Sequence, residues 1–148
     1  SDPEIPVLSV VDLGIIRNVR TSEDGIPHIT ITPTYSGCPA MNTIEVNIKA
    51  VLQDHGYETV TIETVLHPAW TTDWMTESGK KKLLAYGIAP PVKGNVDKQA
   101  LFAEHPVVAC PQCGSKNTQM LSQFGSTACK ALYQCGDCLE PFDYFKCH

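Results

Sequence analysis

The chain has 148 residues, of which 43% are hydrophobic and 18% charged, with a formal net charge of −5. That is length for one ordinary domain plus a small module, with a globular composition. No apolar run approaches the roughly 20 residues needed to cross a bilayer, and no signal-peptide pattern opens the sequence. Residues 1–105 carry 8 basic and 13 acidic side chains and residues 106–148 carry three of each, so no part is basic enough for a nucleic-acid footprint. Neither a membrane nor a nucleic acid is an expected partner. Six of the seven cysteines lie after residue 105. Without a secretion signal, that clustering predicts metal binding in a reducing compartment, the cytoplasm, rather than disulfides. The first residue is Ser1 rather than Met, so native residues are expected to precede it.

Residues 1–14, SDPEIPVLSVVDLG, contain Pro3 and Pro6, which preclude a continuous helix. Asp2 and Glu4 alternate with the prolines before the apolar run of Val7, Leu8, Val10 and Val11. Asp12 follows that run. By position it is first a turn or cap residue and second a site carboxylate, because Asp is common at turns. Residues 15–20 and 28–32 predict two strands, with Asp24-Gly25 in a hairpin loop between them. Residues 42–55 predict a helix with an apolar stripe of Ile44, Ile48, Val51 and Leu52, an outer Glu45–Lys49 pair, and Gly56 as its stop. Residues 59–66 predict a third strand. His67 stands at its end and could face the loop of Cys38, although a lone histidine there is more often a surface residue.

Thr71 or Thr72 is expected to cap a second helix, with Asp73 and Glu77 at its positive end, Lys80, Lys81 and Lys82 in its later turns, and Gly87 as its end. Met75, Leu83 and Leu84 are its expected core contacts. Pro90, Pro91, Gly94 and Asn95 then give the strongest linker signal. The predicted organisation is a domain over residues 1–91, a linker over 92–106 and a second unit over 107–148.

The stretch PTYSGCPAM, residues 33–41, joins the second strand to the first helix. Proline is at home in the first turn of a helix, because its missing N–H would have no partner there. Pro39 therefore places Cys38 at or next to the N-cap, where unpaired backbone N–H groups favour a thiolate. Gly37 lets the chain turn beside the sulfur. Such a thiol is a candidate metal ligand, persulfide carrier or nucleophile; the competing reading is a buried structural cysteine.

In the tail, Cys110-Pro-Gln-Cys113-Gly and Cys135-Gly-Asp-Cys138 are separated by 21 residues. Each CxxC turn aims two thiolates at one point, and two such knuckles complete a tetrahedral four-sulfur zinc site. Gly114 and Gly136 are the expected permissive positions. A unit of some forty residues has too little core to fold alone, so this zinc would be structural. Cys129 and Cys147 exceed what one zinc requires. Cys129 reads first as a packing or partner residue, with a reactive thiol or a ligand for a second metal as alternatives. Cys147 is expected to order only in a complex, since termini fray. The near-neutral charge of the ribbon favours a protein partner.

DPEIPV, VVDLG, PTYSGCPAM and WTTDWMTESGKKKLLAYGIAPP resemble the metal–sulfur cluster assembly domain of SufT-like proteins, over roughly residues 1–91. With the ribbon and its CKALYQC stretch appended, the chain is similar to the D proteins of bacterial phenylacetate degradation, which are associated with phenylacetyl-CoA epoxidase. The resemblance implies a small α/β (α+β) domain with a mixed sheet, joined to a zinc ribbon. It implies a maturation factor that assists assembly or insertion of iron or iron–sulfur centres. Its cargo would be transient iron or an iron–sulfur cluster, and its partners the oxygenase or reductase subunits of the epoxidase. Cys38 is the iron or cluster ligand that the family pattern implies, and Asp12 the motif carboxylate beside it.

The chain lacks the Glu-x-x-His pairs of di-iron bundles and a Gly-rich dinucleotide fingerprint, so it is not expected to be the oxygenase itself, and the resemblance implies an accessory factor rather than an enzyme. One cysteine cannot cage a cluster that usually takes four thiolates, which argues for a homodimer or a client complex. The alternative from a different class is a non-catalytic adaptor of the epoxidase, with Cys38 merely packed and the ribbon as its interaction module. A thiol enzyme with Cys38 as nucleophile ranks last, because only His67 is a candidate base.

Overall fold

The computed structural model describes residues 1–92 and 106–146. Cys147 and all but the two ends of the expected linker lie outside the described residues. The fold is mixed α/β, with a three-stranded sheet of order β1-β2-β3, a four-stranded sheet of order β4-β7-β6-β5, and two helices.

Residues 1–15 form turns rather than regular elements. The Asp2 carboxylate accepts from the backbone N–H groups of Glu4 and Ile5, both at 2.8 Å, and Asp2 N–H donates to Leu8 O at 2.8 Å. These bonds satisfy the backbone of a proline-broken segment and turn Ile5 and Leu8 into the core. Strands β1 (Ile16–Thr21) and β2 (Pro27–Ile31) pair antiparallel across a turn at Ser22–Ile26, where Gly25 has φ +77°. Helix α1 (Ala40–Asp54) then crosses over, and β3 (Thr61–Thr64) joins β2 in parallel. Its stripe is narrower than the spacing predicts: Ile44 is buried, Ile48 and Leu52 pack against the core, and Val51 is exposed. Glu45 accepts from the Thr64 hydroxyl at 3.1 Å, so it is turned towards β3 rather than along its own helix to Lys49.

The second helix, α2, spans Glu77–Ala85, and its cap is Thr76 rather than Thr71 or Thr72. Residues Thr72–Trp74 form a 3-10 turn instead. Tertiary contacts displace the cap: Thr76 N–H donates to Asp12 O at 2.9 Å while its hydroxyl accepts from Gly79 N–H at 2.9 Å. Trp74 lies so close to Gly14 that a Cβ there would sit 2.3 Å from its carbonyl oxygen; Gly14 also has φ +69°. Met75 and Leu83 are buried as expected, but Leu84 points to solvent.

The second sheet contains β4 (Ile88–Ala89), β5 (Thr118–Ser122), β6 (Lys130–Cys135) and β7 (Pro141–Phe145). Strand β4 precedes the expected linker, yet it pairs in parallel with β7 of the ribbon. The two units also share a core. Cys129 and Phe145 of the ribbon are buried in one cluster with Ile5, Leu13, Met41, Ile44 and Trp70. Tyr133, Phe142 and Tyr144 build a second cluster with Ala89, Val108, Cys110 and Cys135. Of the ribbon aromatics, only Phe124 is exposed. No helix among the described residues is long and apolar enough to cross a membrane.

Candidate metal centre and carrier pocket

The four ribbon cysteines converge. Sγ of Cys110 lies 3.7 Å from that of Cys138, Sγ of Cys113 lies 3.6 Å from that of Cys135, and all four sulfurs are within 4.8 Å of one another. Zinc–thiolate bonds of about 2.3 Å in a tetrahedron demand sulfur–sulfur edges of about 3.8 Å, so the donor set fits zinc. Cys110, Cys113, Cys135 and Cys138 would hold it, and it would supply the cross-link that so small a sheet lacks.

Backbone geometry explains the convergence. In the first knuckle Cys110 N–H donates to Ser115 O and Gly114 N–H to Cys110 O, both at 2.8 Å. Gly114, after Cys113, has φ +74°. The residue after Cys138 repeats this conformation, but it is Leu139, with φ +63°. Gly136 has no positive φ; a Cβ there would sit 2.6 Å from the Asn117 side-chain amide, which would have to shift. Asp137 ties the knuckles together through the Ser115 hydroxyl and through Asn117 Nδ2 at 2.9 Å. Backbone N–H groups of Cys138 and Asp137 aimed at Cys135 lower its thiol to about 7, whereas desolvation and the neighbouring sulfurs raise the Cys113 and Cys138 thiols.

Asp12 is tied to helix α2 and to Ser9. One carboxylate oxygen accepts from Lys82 Nζ at 2.6 Å, Ser9 Oγ at 2.8 Å and Ser9 N–H at 3.1 Å; the other accepts from Thr76 Oγ1 at 3.1 Å. The Lys82 ammonium, with Ser9 and Thr76, outweighs desolvation and holds this carboxyl well below the usual carboxylate range. Asp12 is a buried clamp between the turn at residues 9–14 and α2. Its carboxylate oxygens are engaged by Lys82, Ser9 and Thr76, and Asp12 is not itself among the residues that line the Cys38 pocket, although Leu13 beside it is. Sequence position alone could not distinguish the two roles, because Lys82 and Thr76 arrive from a distant helix.

Cys38 is half-buried at the β2–α1 junction, one residue before the N-cap Pro39. Cys38 N–H donates to Tyr35 O and Met41 N–H to Cys38 O, both at 3.3 Å, so the thiol stands on a tight turn entering the helix. It opens onto a small, partly open pocket whose polar wall holds Asp2, Glu4, Thr34 and Cys129, and whose apolar wall includes Met41 and Phe145. The acids that line this pocket are thus those of the DPEIPV segment. Burial and the adjoining Cys38, then Glu4 and Cys129, raise the Tyr35 phenol above its ordinary value. Burial pushes the Cys129 thiol up to about 11; the nearby Glu4 carboxylate acts in the same direction, although Thr127 opposes it. His67 is exposed and is not part of the pocket wall.

Two family models match the chain. Residues 1–63 match the iron–sulfur cluster assembly protein family, and residues 95–146 match the PaaD zinc beta ribbon domain. The chain is 49% identical over 146 residues to the D component of the putative 1,2-phenylacetyl-CoA epoxidase of Escherichia coli (strain K12), covering 99% of this chain and 86% of that protein. It is 38% identical over 88 residues to the Fe-S protein maturation auxiliary factor YitW of Bacillus subtilis (strain 168), covering 59% of this chain and 82% of the relative. A crystal structure of a domain of unknown function, DUF59, from Bacillus anthracis superposes with a TM-score of 0.52 at 30% identity, over 55% of this chain and 78% of that one. With an assembly domain leading into a ribbon of four convergent thiols, and near-full-length similarity to the Escherichia coli protein, the chain belongs to the PaaD-like family of iron–sulfur assembly proteins.

Proposed function

We propose that this protein is an accessory maturation factor, not an enzyme, and that it assists assembly or insertion of iron or iron–sulfur centres in phenylacetyl-CoA epoxidase. The observation that carries the reading is the contrast between its two thiol sites. The ribbon thiols form a preassembled four-sulfur cage, the arrangement of a metal that stays. Cys38 instead stands half-exposed on a pocket, with carboxylates nearby and no such cage, as suits a ligand that must give up what it holds. Iron would leave by ligand exchange: a client side chain bonds the metal as the Cys38 sulfur lets go, with no change of oxidation state. The thiol-rich composition suits a reducing compartment, the cytoplasm. The oxygenase and reductase subunits are the client candidates, and a second copy of this chain is another source of the missing ligands.

An adaptor role is the second reading. Leu121 and Phe124 are more than half exposed on the ribbon and offer apolar anchors for a partner. Anaerobic co-expression with the epoxidase subunits separates the two. Cys38→Ser should leave the fold and client binding intact while abolishing iron delivery, and Phe124→Ala should weaken client binding. Full epoxidase maturation by Cys38→Ser in cells lacking the native protein would leave only the adaptor reading.

A further inference from the structure

The ribbon's fifth described cysteine has no place in the zinc cage. Cys129 precedes β6 and is 4% exposed. Its backbone carbonyl accepts from Lys146 N–H at 3.0 Å, which fixes it beside the end of β7. Its thiol donates to Glu4 Oε2 at 3.5 Å and contacts Thr127 Oγ1 at 3.0 Å. Cys129 and Glu4 line the same pocket as Cys38. Tyr35, on the turn that carries Cys38, feels Cys38, Glu4 and Cys129 electrostatically. Three segments far apart in sequence supply them: the N-terminal turn, the β2–α1 junction and the ribbon.

We propose that Cys38 and Cys129 are the two thiolate ligands of one transient site for a single iron(II) ion, with Glu4 as its carboxylate ligand. Two sulfurs and one oxygen form a mixed soft and hard donor set suited to a divalent transition metal. The pocket has room for about one water-sized occupant, so it fits a single ion and not a cluster. Binding costs no redox partner: each thiol and the metal form a bond as the thiol proton passes to solvent. The set is looser than the ribbon cage, the one preassembled group of three or more ligating side chains among the described residues. Looseness favours release. The arrangement also gives the ribbon a second purpose, because its docking completes the pocket.

The inference rests on the reading of Cys38 as carrier thiol, and the test separates the two. Full-length protein, its ribbon loaded with zinc, is given iron(II) anaerobically, and X-ray absorption at the iron edge counts the sulfur ligands. Two sulfurs are expected in the wild type and one in Cys38→Ser or Cys129→Ser, with iron affinity about tenfold or more weaker in each variant. Glu4→Gln should weaken iron binding with both sulfurs retained. One sulfur in the wild type, or two persisting in Cys129→Ser, overturns the inference but leaves Cys38 as carrier. Iron bound without sulfur, or no iron bound at all, overturns both. If Cys129→Ser fails to fold, the Cys38→Ser count decides: one sulfur left at the iron keeps the inference, and none, as two Cys38 thiolates from paired copies would leave, overturns it.

Discussion

Trp70 and Phe145 meet edge to face, with ring centroids 6.0 Å apart and planes at 85°. Trp70 belongs to the loop after β3, and its indole N–H donates to Leu13 O at 2.8 Å. Phe145 ends the last ribbon strand and is 1% exposed. This pair joins the two units, and the next residue, Lys146, donates its backbone N–H to Cys129 O. Phe145→Ala should cost about 3–5 kcal/mol, the usual range for a buried aromatic truncated to alanine. Urea unfolding followed by tryptophan fluorescence measures it. Phe145→Leu should recover most of the loss, and an alanine variant as stable as wild type would mean the interface carries no weight.

Purified protein should contain about one zinc per chain by elemental analysis. Because β4 pairs with β7 and the core crosses the units, chelation should disturb more than the tail. Zinc removal or Cys110→Ser should shift the emission of Trp70 to longer wavelength and lower the melting temperature of the first unit as well. An unchanged Trp70 spectrum would show that the assembly domain is indifferent to the ribbon.

Asp12 gives a pH signature. A carboxyl whose folded value lies below its unfolded value of about 3.9 stabilises the fold above that pH. The contribution fades as pH falls below it. Asp12→Asn should therefore cost about 1–3 kcal/mol between pH 5 and 8, the range for hydrogen bonds to a charged group. The difference from wild type should shrink below about pH 4. Thermal melts of the two proteins across pH test this, and a gap that stays constant down to pH 3 would refute the clamp.

Leu139 occupies a left-handed position that costs a side chain roughly 1 kcal/mol, and its own side chain is 68% exposed. Leu139→Gly removes that strain at little loss of burial, although glycine gives back part of the gain as chain entropy. The ribbon should gain a few tenths of a kcal/mol and hold zinc against a chelator slightly longer. Destabilisation would place Leu139 at a packed contact that the fold does not display.

Spacing alone determined a good deal about this protein. Alternation at Ile29 and Ile31 determined β2, the Ile44 and Ile48 period determined α1, and the paired CxxC turns determined the metal cage. These are local signals, because a strand's faces, a helix's stripe and a knuckle's bend are each written within a few residues. What only the tertiary structure decided is which distant groups meet. The start of α2 moved to Thr76 because Asp12 and Gly14 hold that segment from the other end of the domain. Asp12, which precedes Leu13-Gly14 in the same motif, was joined to Lys82 and Thr76 of a distant segment. Glu4 and Cys129, which no motif links, were set side by side on the Cys38 pocket, at the core cluster that Cys129 shares with Trp70 and Phe145. Burial of apolar surface between the units has no period along the chain, so sequence spacing could not have disclosed it.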